Sequence, residues 1–193
     1  VGVLQEAGER DWWPAGVPLP DNLLRCPTWE KLSGSGCSAA LIISDRLLES
    51  ERKLSFPVVI YRPRTLVVGV GCNRGTDVEE ISRAVEMVLR GHGFTVRSVC
   101  ALATVVLKRD EAGLRQYAER LGVPIRFYSP AELNQAGPPP NPSRVVEHWV
   151  GSPSVCEAAA LLASRAGSLA VPKYKTRNTT VAIARRTYHA KED

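Results

Sequence analysis

The sequence predicts an α/β protein: a three-layer α/β/α sandwich with a mostly parallel sheet and an antiparallel edge, preceded by a partial, smaller α/β unit. From residue 65 onward, short β-branched runs alternate with amphipathic segments, which is typical of a parallel sheet covered by helices. Before that point, shorter apolar runs are separated by prolines and by the Ser-Gly stretch 33–36. We therefore expect residues 1–60 to be a partial region or linker, 61–187 an α/β domain, and 188–193 a tail.

The first part contains few strand candidates. The apolar runs 1–4 and 39–44 predict two short strands, and the run 58–61, bounded by Pro57 and Pro63, is a third candidate. Two short strands cannot form a stable sheet alone, so this unit is expected to be incomplete. The domain boundary is predicted in the charged, proline-flanked stretch 49–63.

The second part shows regular alternation, with glycines and prolines ending its helices. Gly137-Pro-Pro-Pro140 is expected to interrupt regular structure. In chain order, the predicted elements are strand 66–70, helix 77–90, an extended segment 99–107, helix 111–121, strand 125–128, a short helix from Ser129, helix 155–164, and strands 169–171 and 180–185 joined as a hairpin across 173–178.

Three helix starts carry a hydroxyl residue followed three positions later by glutamate, which is the capping-box pattern. They are Thr76 with Glu79, Ser129 with Glu132, and Ser154 with Glu157. The free N–H groups and partial positive charge of a helix N-terminus suit an anion. The first and last of these starts are therefore candidate anion sites. Glu157 is a candidate catalytic carboxylate, although most glutamates at the third position of a helix are caps alone.

The glycine turn 69–75 follows a predicted strand and resembles a dinucleotide fingerprint. Its spacing is G-x-G-x-x-x-G, no acidic residue ends the next strand, and a Walker A lysine is absent, all of which disfavour a nucleotide. Loops at the carboxyl ends of parallel strands nevertheless bind ligands. The candidate ligand contacts in this loop are Gly71, Asn73, Arg74 and Gly75.

Two further groups are candidates for binding a carboxylate or phosphate. Thr104 and Lys108 follow the second predicted strand of the domain, where an ordinary strand residue and a surface lysine are the alternative interpretation. Lys173 and Lys175 lie in a basic loop that could bind an anion. The alternative interpretation is an ordinary turn exposed to solvent. The three histidines and five cysteines show no metal-ligand spacing, so we expect no metal site.

Charge and composition narrow the classes of molecule that this protein is expected to bind. The net charge of +5 arises from −2 in residues 1–60, with 6 basic and 8 acidic residues, and +7 in the rest, with 19 and 12. A basic domain favours an acidic partner, but no long basic run suggests nucleic acid. No apolar stretch spans a bilayer, the start lacks signal-peptide features, and the odd cysteine count favours reduced thiols. We expect a cytoplasmic protein, processed or cut from a longer chain because it lacks an initial Met.

Six ordered blocks resemble the C-terminal domain of the cobalamin-biosynthesis CbiG family, the cobalt-precorrin-5A hydrolases. The blocks are Gly69-x-Gly-Cys-x-x-Gly75-Thr, Ala103-Thr-x-x-x-Lys108, Pro142-Ser143, Gly151-x-Pro-Ser-Val-x-Glu-Ala-Ala-Ala-Leu161, Val171-Pro-Lys-x-Lys175 and Thr180-Val-Ala-Ile-Ala-Arg185. Segments 1–8 and 41–46 are similar to the family's central region, and the family's N-terminal domain has no counterpart here.

The resemblance implies an enzyme of the anaerobic pathway that opens the δ-lactone of a cobalt-bound tetrapyrrole and releases acetaldehyde, giving cobalt-precorrin-5B. Such a polycarboxylate cobalt-corrinoid intermediate would bring its own cobalt, so no cofactor is expected, and other pathway enzymes are possible partners. Two alternatives remain: a non-catalytic tetrapyrrole-binding or assembly domain, and a nucleotide-binding α/β enzyme. A relative of this domain that stands alone in the aerobic pathway favours the first alternative.

Overall fold

The computed structural model describes residues 1–9, 13–14, 16–48, 54–135 and 154–187, which form two compact units. The first unit comprises residues 1–65 and the second 66–187. Within the described residues, no helix has the length and apolar character needed to cross a membrane. The proline stretch 137–140, the blocks 142–143 and 151–153, the predicted tail 188–193, His148 and His189 lie outside the described residues.

The first unit is built on a parallel sheet of four short strands. Its strands are β1 (Gly2–Gln5), β2 (Leu24–Cys26), β3 (Ala40–Ile43) and β4 (Val58–Tyr61), in the order β2-β1-β3-β4. Helix α1 (Trp29–Ser33) contributes the buried Leu32 to a small core with Leu4 and Ile42. The three predicted strands are present, and β2, which sequence reasoning missed, extends the sheet to four strands.

The second unit contains a five-stranded sheet in the order β7-β6-β5-β9-β8. The strands are β5 (Leu66–Cys72), β6 (Val99–Val105), β7 (Ile125–Tyr128), β8 (Val171–Lys175) and β9 (Thr179–Arg185). β5, β6 and β7 are parallel, whereas β9 runs antiparallel to β5 and pairs with β8 in a hairpin. The hairpin turn is shorter than predicted, because β8 continues to Lys175.

Helices cover both faces of this sheet. Helices α2 (Val78–Gly91) and α3 (Ala112–Leu121) pack with Leu66, Val68 and Val70 on one face. Helices α4 (Pro130–Gln135) and α5 (Val155–Ser164) pack with Val67 on the other. Alternate residues of β5 therefore enter separate cores, as strand geometry requires. This arrangement confirms the predicted three-layer sandwich with an antiparallel edge.

The Ser129 capping box forms as predicted. The Ser129 backbone N–H donates to Oε2 of Glu132 over 2.7 Å, and the Glu132 N–H donates to the Ser129 hydroxyl over 3.3 Å. The Ser129 backbone N–H and the Ser129 hydroxyl both donate to the Glu132 carboxylate, and these two bonds lower its pKa. Both groups thus satisfy N–H groups at the start of α4.

The other two predicted capping boxes are wrong. Helix α2 is capped by Asp77, whose carboxylate accepts from the Glu79 N–H over 2.7 Å, while the Thr76 hydroxyl donates to the Asn73 carbonyl. At α5, the Ser154 side chain makes no capping bond. An acidic residue one position later competes with Thr76 for the same amide, which the spacing alone does not reveal.

Gly69 has a different role from the one expected. The sequence predicted that the glycines of the loop allow a tight turn and a close approach of ligand to backbone, but a Cβ at Gly69 would lie 1.8 Å from the carbonyl oxygen of Cys156. This glycine therefore allows α5 to lie directly on the β5 backbone. Gly75, in contrast, serves the turn itself, with a left-handed φ of +73°.

Candidate functional site

A cavity of ≈ 280 Å³ opens at the edge of the second unit's sheet where β5 and β6 end. The start of α5 and the β8–β9 hairpin close it from the other side. β6 and β9 lie on opposite sides of β5, so the order of the strands reverses at β5. Open α/β sheets bind ligands at such a switch point, and the cavity lies there. Its lining residues are Gly71, Cys72, Asn73, Thr104, Val105, Lys108, Ser154, Val155, Cys156, Lys173, Lys175, Thr176, Arg177, Asn178, Thr179 and Thr180.

The described residues of the cavity wall carry positive charge only. Four of them are basic, namely Lys108, Lys173, Lys175 and Arg177, and none is Asp or Glu. A concave surface with one sign of charge concentrates ligands of the opposite sign. The cavity is therefore suited to an anion.

The loop after β5 is tied to the hairpin by Asn73 and Asn178. The Asn73 backbone N–H donates to the Asn178 carbonyl over 2.9 Å, and its side-chain amide lies 3.0 Å from the Asn178 side-chain oxygen. The Asn178 amide also donates to Glu80 on α2. These bonds fix the two loops that border the cavity, and they use the Asn73 backbone N–H and one side-chain N–H within the protein.

Glu111 anchors the same loop from α3. Its carboxylate accepts the Gly75 N–H over 2.8 Å and pairs with the Lys108 ammonium at 3.1 Å, with only 11% of the side chain exposed. Burial alone would raise the pKa of Glu111, but the Gly75 N–H and the Lys108 charge outweigh burial and lower it. Sequence reasoning missed Glu111; its only signal was a carboxylate three residues after Lys108.

Two buried hydroxyl groups lie in the cavity wall without a hydrogen-bond partner among the described residues. They belong to Thr104, at the end of β6, and Thr179, at the start of β9, which are 0% and 2% exposed. Buried polar groups nearly always have a hydrogen-bond partner, so two buried hydroxyl groups without one among the described residues are unusual in a single cavity wall. Both can donate to or accept from a ligand.

The start of α5 brings Ser154 and Cys156 to the cavity, and the end of β5 brings Cys72. The first amides of any helix lack acceptors within the helix, and here Ser154 does not cap them. Burial raises the pKa of the Cys156 thiol, whose Sγ lies 3.9 Å from the Ser154 hydroxyl. Burial also raises the pKa of Cys72. Neither thiol is therefore activated as a nucleophile.

Glu157 lies behind the wall rather than in it. Its side chain is completely buried, and its Oε1 accepts the backbone N–H of Lys173 over 2.9 Å. A capping glutamate would instead reach back to Ser154. Glu157 thus connects α5 with β8.

The structure brings together most of the predicted site. Of the predicted residues, Gly71, Asn73, Thr104, Lys108, Lys173 and Lys175 line the cavity, whereas Arg74, Gly75 and Glu157 do not. Arg74 is exposed on the same loop. Arg177 and Thr179 were missed, although the basic hairpin containing them was noted. No cluster of three or more His, Cys, Asp or Glu suited to a metal occurs among the described residues.

Comparison with known proteins places these features in a family. The family model described as cobalamin synthesis G C-terminus matches residues 66–184. A cobalt-precorrin-5A hydrolase from Priestia megaterium is 37% identical over 185 residues, which cover 95% of this chain and 49% of the hydrolase. The chain therefore spans about half the length of that relative.

Two comparisons concern CobE. Protein CobE from Sinorhizobium sp is 33% identical over 121 residues, covering 62% of this chain and 79% of CobE. A crystal structure of CobE, described as a protein from the cobalamin (vitamin B12) biosynthetic pathway, superposes with a TM-score of 0.61 at 38% identity and covers 66% of this chain and 94% of its own.

Proposed function

This chain belongs to the cobalamin synthesis G C-terminal family, and we propose that it forms the substrate-binding part of a cobalt-precorrin-5A hydrolase in anaerobic cobalamin biosynthesis. The substrate would be a cobalt-corrinoid intermediate with several carboxylate side chains, and its cobalt would arrive as part of that substrate. The reaction adds water to the δ-lactone and cleaves its ring C–O bond, which gives a carboxyl group and a hydroxyl group on the two-carbon fragment. The C–C bond between this fragment and the macrocycle then breaks, so that the fragment leaves as acetaldehyde and a proton takes its place on the macrocycle. The product is cobalt-precorrin-5B.

The observation that carries this proposal is the cavity at the switch point of the sheet, in which every charged side chain among the described lining residues is basic. A tetrapyrrole with its acid side chains exceeds the drug-sized ligands that fill cavities of roughly 300–1,000 Å³. The cavity of ≈ 280 Å³ would accordingly receive one edge of the macrocycle. Lys108, Lys173 and Lys175 would pair with its carboxylates, and the Thr104 hydroxyl would donate to one of them.

A titration tests the binding part of this proposal. Uroporphyrin, an octacarboxylate tetrapyrrole, is the probe, and its fluorescence reports binding to the chain. Substituting Lys108, Lys173 or Lys175 with Ala should each raise Kd by roughly two- to fivefold, and added salt should weaken binding, since partly exposed ion pairs contribute about 0.5–1 kcal/mol. Lys31→Ala, an exposed lysine of the first unit, is the control. Unchanged affinity in all three variants would contradict this placement of the ligand.

A second candidate function is a non-catalytic tetrapyrrole-binding or assembly domain. It is favoured by the lack of an Asp, Glu or His side chain among the described cavity residues, since these are the usual general bases. Incubating the chain with cobalt-precorrin-5A and measuring acetaldehyde separates the two functions. Release of acetaldehyde supports the hydrolase, and binding without release supports the assembly domain.

A further inference from the structure

The edge strand β8 contains an irregularity that decides which way its lysines point. Val171 pairs with Ile183 and Tyr174 with Val181, so Pro172 and Lys173 together oppose a single residue of β9. Two residues opposite one is the definition of a β-bulge. Proline, which has no N–H, is tolerated at such a position on an edge strand.

The bulge reverses the alternation of side chains along β8. Val171 is buried with Ile183 in the core on the α2 face, and directly paired residues share a face. In a regular strand, Lys173 and Lys175 would face that same apolar core. Because of the bulge, Lys175 instead pairs with Thr180, and both lysines line the cavity.

The bulge also releases the Lys173 N–H from the hydrogen-bond ladder with β9, and this N–H donates to the Glu157 carboxylate. The carboxylate is fully buried at the start of α5, and its Oε1 lies 2.9 Å from the Lys173 nitrogen. A partly buried amide without an acceptor is costly, so this bond favours the bulged register over a regular one. The acceptor comes from the helix that itself borders the cavity.

We infer that Glu157 is a positioning residue, which holds the β8 bulge so that Lys173 and Lys175 face the ligand, and that it is not the general base. This role rests on the proposed function for its consequence in ligand binding. The bulge anchor itself can be observed in the free protein.

Amide hydrogen exchange tests the anchor without any ligand. In Glu157→Ala, exchange of the Lys173 amide should accelerate at least about tenfold, because the acceptor is removed. Glu157→Gln retains an acceptor oxygen and should preserve the protection. If Glu157→Ala does not fold, Glu157→Asp, whose shorter side chain withdraws the acceptor, replaces it. Unchanged protection in the folded variant overturns the inference.

Uroporphyrin titration tests the consequence. Glu157→Ala should raise Kd about three- to tenfold, and Glu157→Gln should restore near wild-type affinity. Combined with the double substitution of Lys173 and Lys175 by Ala, Glu157→Ala should add little, because it acts through those two side chains. Full additivity with the double substitution, or a loss in Glu157→Gln equal to that in Glu157→Ala, overturns the inference.

Activity separates positioning from catalysis. In a chain that releases acetaldehyde, positioning predicts near wild-type KM and kcat in Glu157→Gln and a higher KM with kcat retained in Glu157→Ala. Loss of a general base instead lowers kcat by roughly 10²–10⁴-fold in both variants. That drop in kcat would refute the inference. If amide exchange in the Glu157 variants changes as predicted but the wild-type chain does not bind uroporphyrin, the proposed function is refuted. The role of Glu157 in holding the β8 bulge is then retained.

Discussion

Gly69→Ala should strongly destabilise the second unit, because α5 lies on the β5 backbone at this position. The new Cβ would lie 1.8 Å from the Cys156 carbonyl oxygen and 2.7 Å from its carbon, whereas real Cβ contacts are not shorter than 3.0 Å. To lengthen the contact with the carbonyl oxygen from 1.8 Å to 3.0 Å, the two groups must move apart by at least 1.2 Å. The clash is with backbone, so no side-chain rotation relieves it.

The size of the effect follows from what must move. β5 is paired on both sides, by β6 and β9, so α5 has to retreat. A gap of 0.5–1 Å already forfeits roughly a quarter to a half of the dispersion energy across an interface. The α5 residues Val155, Ala158 and Ala159 would lose that contact with the core around Val67. We expect about 3–5 kcal/mol of destabilisation, above the usual 1–3 kcal/mol for overpacking, and a Tm lower by roughly 10–15 °C.

Urea unfolding followed by far-UV circular dichroism measures this change, and hydrogen exchange of the β5 amides assigns it to the second unit. Gly167→Ala is the matched control, since its Cβ would meet no atom within 4 Å, and it should change stability by less than about 0.5 kcal/mol. Gly71→Ala should be intermediate, because its Cβ would meet only the movable Thr180 hydroxyl. A Gly69→Ala protein within about 1 kcal/mol of wild type would refute the helix-on-backbone explanation.

Three further predictions concern single groups. Ser129→Ala should cost about 1 kcal/mol in urea unfolding, because it removes the cap of α4, while the exposed Ser168→Ala should be neutral; equal effects would contradict the capping assignment. The folded state lowers the pKa of Glu111, so the stabilisation from its carboxylate is fully present above the ordinary value of 4.5 and is lost as pH falls through the folded value. Between about pH 6 and pH 3, the free energy of unfolding should therefore fall more in wild type than in Glu111→Gln. Parallel pH curves would show that Glu111 does not anchor the loop. Cys156, which is 1% exposed and has a raised pKa, should react with an aromatic disulfide reagent only in denaturant; rapid labelling of the native protein would contradict its burial.

Hydrophobic periodicity and turn residues were sufficient for the elements of the second unit. The helix 155–164 and the strand 125–128 were predicted with the observed bounds, because alanine-rich runs favour helix and runs of β-branched and aromatic residues favour strand. The short β2 was missed, since three residues carry too little pattern, and its pairing with β1 depends on the rest of the sheet.

The cap of α2 shows where local patterns fail. Thr76 and Asp77 both satisfy the sequence rule for a cap, and the choice depended on which side chain the folded loop directs at the Glu79 amide. Thr76 donates instead to Asn73, a bond that exists only once the loop has closed. Competition between neighbouring residues of similar propensity is decided by the tertiary contacts of each.

The sequence by itself determined the alternating α/β architecture, the family and the identity of the basic residues, because each depends on residue type and order along the chain. Only the tertiary structure decided the roles of Gly69 and Glu157. A Cβ clash with a helix carbonyl, and a buried carboxylate opposite a bulge amide, join residues that are far apart in the chain. The direction in which Lys173 points was likewise decided by strand register, which depends on the partner strand and on the helix packed against it.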